Sequence, residues 1–154
     1  DKMTAPDYQD IPSSTIPVIE KGYSKIRVIA GTMMGKKGPA RTFTEMVVLH
    51  VMMRADEILD IPLPLSHNAC IQVLEGSIYS GTGNKAEGSA LVLYRKDGRH
   101  ISVKAASANT SLLVLSGEPR NEPIYQYGPF VMTTKEEIVA AYDDYQAGKM
   151  GSIR

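Results

Sequence analysis

The fold of this chain is decided by one stretch, Pro62-Leu63-Pro64-Leu65-Ser66-His67-Asn68-Ala69-Cys70-Ile71-Gln72-Val73-Leu74-Glu75-Gly76. The part from Ala69 to Leu74 is mostly apolar and contains β-branched residues, which fit the half-buried surface of a pleated sheet. The Glu75-Gly76 pair then ends the run, as turn residues do between short strands. The stretch therefore predicts a strand at the hairpin edge of a small β-barrel.

From Lys25 onward the sequence repeats this pattern: short apolar runs alternate with turn residues at steps of about 8 to 14 residues. We expect strands at Lys25–Ala30, Thr42–Arg54, Ala69–Glu75, Ser77–Ser80, Ser89–Tyr94, Ile101–Lys104 and Ser111–Leu115. Because the turns are too short for parallel crossovers, the strands should pair antiparallel. The sequence predicts an all-β, antiparallel barrel over residues 25–117.

The two ends of the chain differ from this middle part. Residues 1–24 contain three prolines and predict an extended arm or an interdomain linker. Residues 118–132 resemble a second arm, which we expect to lie along the barrel. A capping box, formed by Thr133 with Glu136 or by Thr134 with Glu137, then predicts a helix over residues 134–147, with Gly148 at its C′ position. We expect residues 118–154 to pack on the barrel as part of the same domain.

Length and composition limit the possible functions. A chain of 154 residues has the size of one domain, and its 17 basic residues balance 17 acidic ones. A zero net charge argues against direct nucleic-acid binding, which needs a basic excess.

Cys70 is the single cysteine, so no internal disulfide can form, and its strand position predicts a small core residue in a reducing compartment. No apolar run approaches the roughly 18 residues that cross a bilayer. The amino end at Asp1 has neither an initiator Met nor the apolar core of a secretory signal, and we expect an interior start. The reducing compartment that the single cysteine predicts is intracellular.

The opening stretch resembles the first metal-binding motif of the cupin superfamily, His-x-His-x(3)-Glu-x(6 or 7)-Gly. Aligned on Leu74-Glu75-Gly76, the two His positions fall on Pro62 and Pro64, and the Glu position falls on Asn68. Proline has no side-chain donor atom, and an amide is a poor substitute for a carboxylate on a transition metal. The resemblance implies a cupin-type, jelly-roll-like barrel without a metal at the usual place. We therefore expect no catalytic, cofactor-binding or metal-binding residue in this chain.

Further motifs occur in the order in which the C-terminal domain of pirins, a family of two-domain cupin proteins, carries them. They are Tyr8-Gln9-Asp10-Ile11-Pro12, Arg27-Val28-Ile29-Ala30-Gly31, Gly117-Glu118-Pro119, Glu122-Pro123, Gly128-Pro129-Phe130-Val131-Met132 and Asp144-Tyr145-Gln146-Ala147-Gly148. The chain resembles this domain from about Lys2 to Gly151, and only the ending Gly151-Ser152-Ile153-Arg154 departs from it.

The pirin resemblance implies a bicupin whose other, N-terminal barrel holds iron through three His and one Glu, none of which is in this chain. Its partner would be that barrel or a second copy of the chain, with no direct nucleic acid and no membrane. For whole pirins it implies a transcriptional co-regulator that binds transcription factors through protein contacts, located in the cytoplasm and, in a eukaryote, the nucleus. It also implies a quercetin 2,3-dioxygenase-like activity.

An alternative set of metal ligands remains, namely His50, His67, His100 and Glu75. A non-haem iron site commonly needs two imidazoles and one carboxylate. His50 lies in the apolar run from Met46 to Met53, so its ring could face the barrel interior. The last cupin ligand position falls on Ile101, so that the two-residue period turns His100 to the other face. Such a set would suit a stand-alone cupin enzyme acting on a flavonoid or another small phenol. Otherwise these are surface or core histidines and a solvated Glu75.

Several apolar residues bear on packing. We expect Met46, Val48 and Met52 to fill a barrel interior that has lost its metal. The two arms also carry more apolar side chains than a solvated linker requires, among them Ile11, Ile16, Val18, Ile19, Tyr125, Tyr127, Phe130 and Val131. The sequence thus predicts an apolar surface on the isolated domain and pairing with a second barrel or with itself.

Overall fold

The structure, a computed structural model, describes residues 4–5, 7–81 and 83–151. Parts of the predicted N-terminal arm and of the C-terminal ending lie outside these residues. The described chain forms a short 3₁₀ helix at Ser13–Thr15, one α-helix, α1 (Lys135–Gln146), and fourteen strands: β1 (Val18–Lys21), β2 (Ser24–Ala30), β3 (Thr32–Met33), β4 (Lys36–Lys37), β5 (Met46–Met53), β6 (Ile58–Pro62), β7 (Asn68–Glu75), β8 (Ser77–Ser80), β9 (Asn84–Glu87), β10 (Leu91–Leu93), β11 (His100–Ala105), β12 (Thr110–Gly117), β13 (Tyr125–Tyr127) and β14 (Phe130–Met132). The chain divides into two compact units, residues 1–119 and 120–154.

Two antiparallel sheets make up the first unit. The larger has the order β1-β2-β5-β12-β7-β10, and the smaller has the order β6-β11-β8-β9. Every described strand pair is antiparallel, so the predicted antiparallel all-β architecture is confirmed. Residues 18–21, within the segment predicted as an arm, form the edge strand β1 against β2. Non-sequential neighbours such as β5 and β12 place residues far apart in sequence side by side on one surface.

The core lies between the inner faces of these two sheets. In β5 the buried residues are Val47, Leu49, Val51 and Met53, and the alternation of side chains turns the others outward. The expectation that Met46, Val48 and Met52 fill the interior is therefore wrong, because the register of β5 places their odd-numbered neighbours there. His50 also lies on the outward face, not in the interior.

The same alternation continues in β7 and β12. Ile71 and Val73 of β7 and Leu112 and Val114 of β12 are fully buried. Cys70 lies between the partly buried Ala69 and the buried Ile71 and is itself only half-buried, on the outer face. The prediction of a core cysteine is thus wrong, although burial still raises the pKa of its thiol.

The second unit consists of the β13–β14 hairpin and α1. Thr134 caps the helix: its Oγ1 accepts a hydrogen bond from the N–H of Glu137, whose carboxylate accepts one from the N–H of Thr134, so the capping box is the Thr134 pair. Tyr142 packs against Tyr127 and Phe130 of the hairpin, with ring centroids 5.3 and 5.1 Å away. Within the described part of the chain, no helix has both the length and the apolarity needed to span a membrane.

Candidate functional site

The positions aligned with the cupin metal motif lie where β6 ends and β7 begins. Pro62, Pro64 and Asn68 are all exposed. Their neighbours Leu63 and Ala69 pack against the core instead. On the facing strand Ile101 is buried and His100 is exposed, as the period-2 argument predicts.

Most inward positions in this region carry aliphatic side chains, namely Ile61, Leu63, Ala69 and Ile101, and the exceptions are the buried His67 and Ser116. The aliphatic side chains have no donor atom for a metal. The family resemblance assigns iron to the other barrel. Here the described residues bring one imidazole, that of His67, to the interior, whereas a non-haem iron site commonly needs two imidazoles and a carboxylate, so the residues at this place do not fit an iron ion.

Two of the four alternative ligands, His67 and His100, line one small cavity of about 80 Å³ near this end of the barrel. His67 is only 4% exposed, and its Nδ1 lies 3.0 Å from Oγ of Ser116. Its Nε2 is buried and has no hydrogen-bond partner in the described structure. His100 is exposed at the start of β11.

The other two, His50 and Glu75, line a different cavity. His67 directly precedes β7 and Glu75 ends it, so the eight-residue strand separates them by roughly 25 Å. Within residues 4–5, 7–81 and 83–151, no group of three His, Cys, Asp or Glu side chains is placed to hold a metal ion. The structure thus splits the alternative ligand set into two pairs at opposite ends of the barrel.

An apolar surface crosses the outer face of the larger sheet. Val48 lies opposite Leu115, Leu115 lies opposite Cys70, and Cys70 lies opposite Leu93, so four neighbouring strands contribute one row. Leu93 is 74% exposed and the other three are half-buried. Adding the neighbours Met46 and Leu113 gives what we call the outer patch: Met46, Val48, Cys70, Leu93, Leu113 and Leu115. Most of these residues line a shallow groove of about 350 Å³.

At the far end of the same face is a more polar cavity of about 550 Å³, which we call the Tyr23 cleft. His50 and Ser111 both line it and form what we call its floor; Nε2 of His50 lies 2.9 Å from Oγ of Ser111. Tyr23 lies at its wall, with the guanidinium carbon of Arg54 4.8 Å from the centre of the tyrosine ring. The polar and charged residues that line the cleft include Tyr23, Lys25, His50, Arg54, Glu75 and Ser111.

Glu57 connects the two residues of the cleft wall, Tyr23 and Arg54, through hydrogen bonds. Its carboxylate accepts hydrogen bonds from the N–H of Tyr23 at 2.6 Å and the N–H of Arg54 at 2.9 Å, and from the hydroxyl of Ser24 at 3.0 Å. Burial of the carboxylate opposes its ionisation, but these three hydrogen bonds and the nearby Arg54 charge together hold the pKa of Glu57 below its ordinary value.

Sequence reasoning singled out neither the outer patch nor the Tyr23 cleft. Both surfaces combine residues from strands that are distant in sequence, and Tyr23, Arg54 and Glu57 form no recognisable spacing. The one available signal for the patch was the run Met46–Met53, which is too apolar for a strand with one solvated face.

Comparisons with known proteins agree with this geometry. Residues 48–151 match the pirin C-terminal cupin domain family. A pirin-like protein of Solanum lycopersicum is 37% identical over 157 residues, covering 100% of this chain and 54% of that protein. Pirin-1 of Arabidopsis thaliana is 34% identical, covering 98% of this chain and 54% of its own length.

The crystal structure of a quercetin 2,3-dioxygenase from Acinetobacter baumannii superposes with a TM-score of 0.93 at 39% identity. It covers 99% of this chain and 54% of that one. The chain thus spans about half the length of these relatives. The cupin type of the barrel is confirmed, and the chain belongs to the pirin C-terminal cupin domain family.

Proposed function

We propose that this domain is the structural and protein-interaction half of a bicupin, that it holds no metal itself, and that it docks a second cupin barrel on its outer patch. The observation that carries the proposal is the apolar row Val48, Leu115, Cys70 and Leu93 on a sheet face that would otherwise be expected to be polar. Contiguous exposed apolar patches on soluble domains mark interaction sites.

The choice of a cupin barrel as occupant rests on two observations. The chain spans only about half the length of its relatives, and the pirin resemblance assigns the other half to a second barrel. A broad, apolar sheet face is suited to packing against another sheet, and a stable interface of this kind buries about 1,200 Å² or more in total. The presence of Pro62, Pro64 and Asn68 at the motif's His and Glu positions supports the metal-free part of the proposal.

For the whole protein we propose a transcriptional co-regulator that acts through protein contacts inside the cell, in the cytoplasm and, in a eukaryote, the nucleus. The zero net charge of this half supports binding to proteins over direct binding to nucleic acid. The iron of such a protein would belong to the other barrel.

Sedimentation velocity of the 154-residue chain, alone and mixed with the separately produced first half of a pirin, tests the docking surface. We expect a complex with the first half, which Leu115→Asp abolishes because the new carboxylate would be buried without a partner. The matched control is Ile58→Asp, which changes an exposed aliphatic residue of the smaller sheet and should leave the complex intact. The absence of any complex, or a complex that survives Leu115→Asp, contradicts the proposal. Self-association that the first half cannot displace would assign the patch to a second copy and overturn the choice of occupant.

A second candidate function is a quercetin 2,3-dioxygenase-like activity of this domain on a flavonoid or another small phenol. It is favoured by the name of the Acinetobacter baumannii structure, which matches 99% of this chain. Metal analysis after dialysis against a chelator separates the two candidates. We expect well under one equivalent of iron, nickel or zinc, whereas equimolar metal together with loss of quercetin absorbance would favour the enzyme.

A further inference from the structure

We propose that the Tyr23 cleft binds a small organic carboxylate with an apolar body, such as an aromatic monocarboxylate. The cleft lies between the start of β2, the end of β5 and the loop that precedes β12. Its volume of about 550 Å³ falls in the usual range for small-molecule sites, roughly 300–1,000 Å³.

Two cations of the cleft are available to an anion. No carboxylate in the described structure lies within 4.0 Å of the Arg54 guanidinium, which contacts the Tyr23 ring instead. Lys25 reaches Glu20 at 3.8 Å, but both side chains are more than half exposed, so this pair is weak. Glu75 is the acidic group of the lining. With the Glu57 carboxylate behind the wall counted as well, cations and carboxylates balance in this region, so the group that would meet a monoanion is the Arg54 guanidinium, which pairs with no carboxylate within 4.0 Å among the described residues.

The charged wall is held in place before any ligand arrives. Glu57 accepts hydrogen bonds from the backbone N–H groups of both Tyr23 and Arg54, and thereby ties the start of β2 to the end of β5. The cation–π contact with Tyr23 then restricts where the Arg54 guanidinium can point. Such preorganisation lowers the entropic cost of binding.

The rest of the lining suits a ligand with an apolar body. Met52 is partly exposed opposite Ser111, and its thioether adapts to irregular apolar shapes. The Tyr23 ring is largely exposed and offers an aromatic face. The hydrogen-bonded pair of His50 and Ser111 gives the floor one polar point that can meet a ring hydroxyl or the carboxylate.

The geometry of the guanidinium favours a carboxylate as the charged group. Arg presents a planar fork of N–H donors that matches the two oxygens of a carboxylate. A phosphate also fits this fork, but inorganic phosphate has no apolar part that could contact Met52 or Tyr23. Affinity that depends on both the negative charge and the ring therefore distinguishes the proposed class.

Titration of the full chain with benzoate, followed by calorimetry and by ligand-observed NMR, tests the proposal. We expect saturable binding of benzoate, at least tenfold weaker binding of neutral benzamide, and no displacement of benzoate by equimolar inorganic phosphate. Equal affinities for benzoate and benzamide, displacement by phosphate, or no saturable binding of benzoate would each overturn it.

Variants locate the site. Arg54→Gln should weaken benzoate binding by about tenfold or more, since the charge-assisted hydrogen bonds of the guanidinium are lost. The matched control Lys37→Gln removes the same charge from the exposed β4 strand and should leave the affinity unchanged. Equal affinities of the two variants would contradict the assignment. The outer patch lies toward the other end of β5, so Leu115→Asp should not affect benzoate binding, and the two proposals can fail separately.

Discussion

His67 and Ser116 form a hydrogen bond inside the barrel, with Nδ1 of the ring 3.0 Å from the hydroxyl oxygen, while Nε2 of the same ring is buried without a partner among the described residues. Ser116 is buried as well. The hydroxyl thus satisfies one of the two ring nitrogens, and a buried polar atom that loses its partner is costly.

We predict that Ser116→Ala lowers the free energy of unfolding by about 1–3 kcal/mol, because Nδ1 of His67 then also lacks a partner. The double variant Ser116→Ala with His67→Phe should be more stable than the sum of the two single changes implies. Urea unfolding of all four proteins measures this coupling. Additivity of the two effects within about 0.5 kcal/mol would contradict the hydrogen bond.

A Leu→Ala substitution should lower the free energy of unfolding by different amounts on the two faces of the larger sheet. Leu49→Ala removes a fully buried side chain and should lower the free energy of unfolding by about 2–5 kcal/mol. Leu115→Ala, on the outer patch, should cost about 1 kcal/mol or less in the isolated chain. Chemical denaturation of both variants provides the comparison. Equal losses of unfolding free energy in the two variants would mean that other residues of this chain bury the outer face, and would contradict the prediction.

Gly76 ends the opening stretch with a φ of +73°, and a Cβ there would collide with the Asn109 carbonyl oxygen and the Ser107 hydroxyl. We predict that Gly76→Ala destabilises the domain by considerably more than the roughly 1–2 kcal/mol of left-handed strain alone. Gly81→Ala is the matched control, since Gly81 has a φ of +57° and, apart from its chain neighbours, no described atom lies within 4 Å of the position that a Cβ would take. Thermal unfolding of the two variants should differ clearly, and similar melting temperatures would refute the close approach at Gly76.

The lowered pKa of Glu57 should make the stability of the domain depend on pH. Because hydrogen bonds hold the folded pKa of Glu57 below its ordinary value of 4.5, its ionised form stabilises the native state above that value, and this contribution is lost as the pH falls through the lower folded pKa. Glu57→Gln should therefore be less stable than the wild type at pH 7, with a difference that shrinks below about pH 4.5. Urea unfolding across pH 3 to 7 measures it. A difference that stays constant over this range would speak against the depressed pKa.

Much of the architecture follows from local features of the sequence. Short apolar runs between turn residues predict β2, β5, β7, β8, β10, β11 and β12 to within a few residues, because each run is long enough to bury one face. The helix follows from Thr134, Glu137 and Gly148, whose capping chemistry is local. Seven described strands were missed, and all are short: β1, β3, β4, β6, β9, β13 and β14. Among them β1 follows Pro17 and β6 ends at Pro62. Each is stabilised by its neighbour in the sheet more than by its own residues.

The sequence by itself determined the fold class, the position of the helix and the replacement of the cupin motif's His and Glu positions by Pro62, Pro64 and Asn68. Only the tertiary structure decided which side of β5 faces inward, since eight apolar or weakly polar residues in a row carry no two-residue alternation from which to infer it. It also decided that His50 and Glu75 lie apart from His67 and His100, because that separation depends on strand register. The outer patch and the Tyr23 cleft arise for the same reason: antiparallel pairing places side chains from distant segments next to one another.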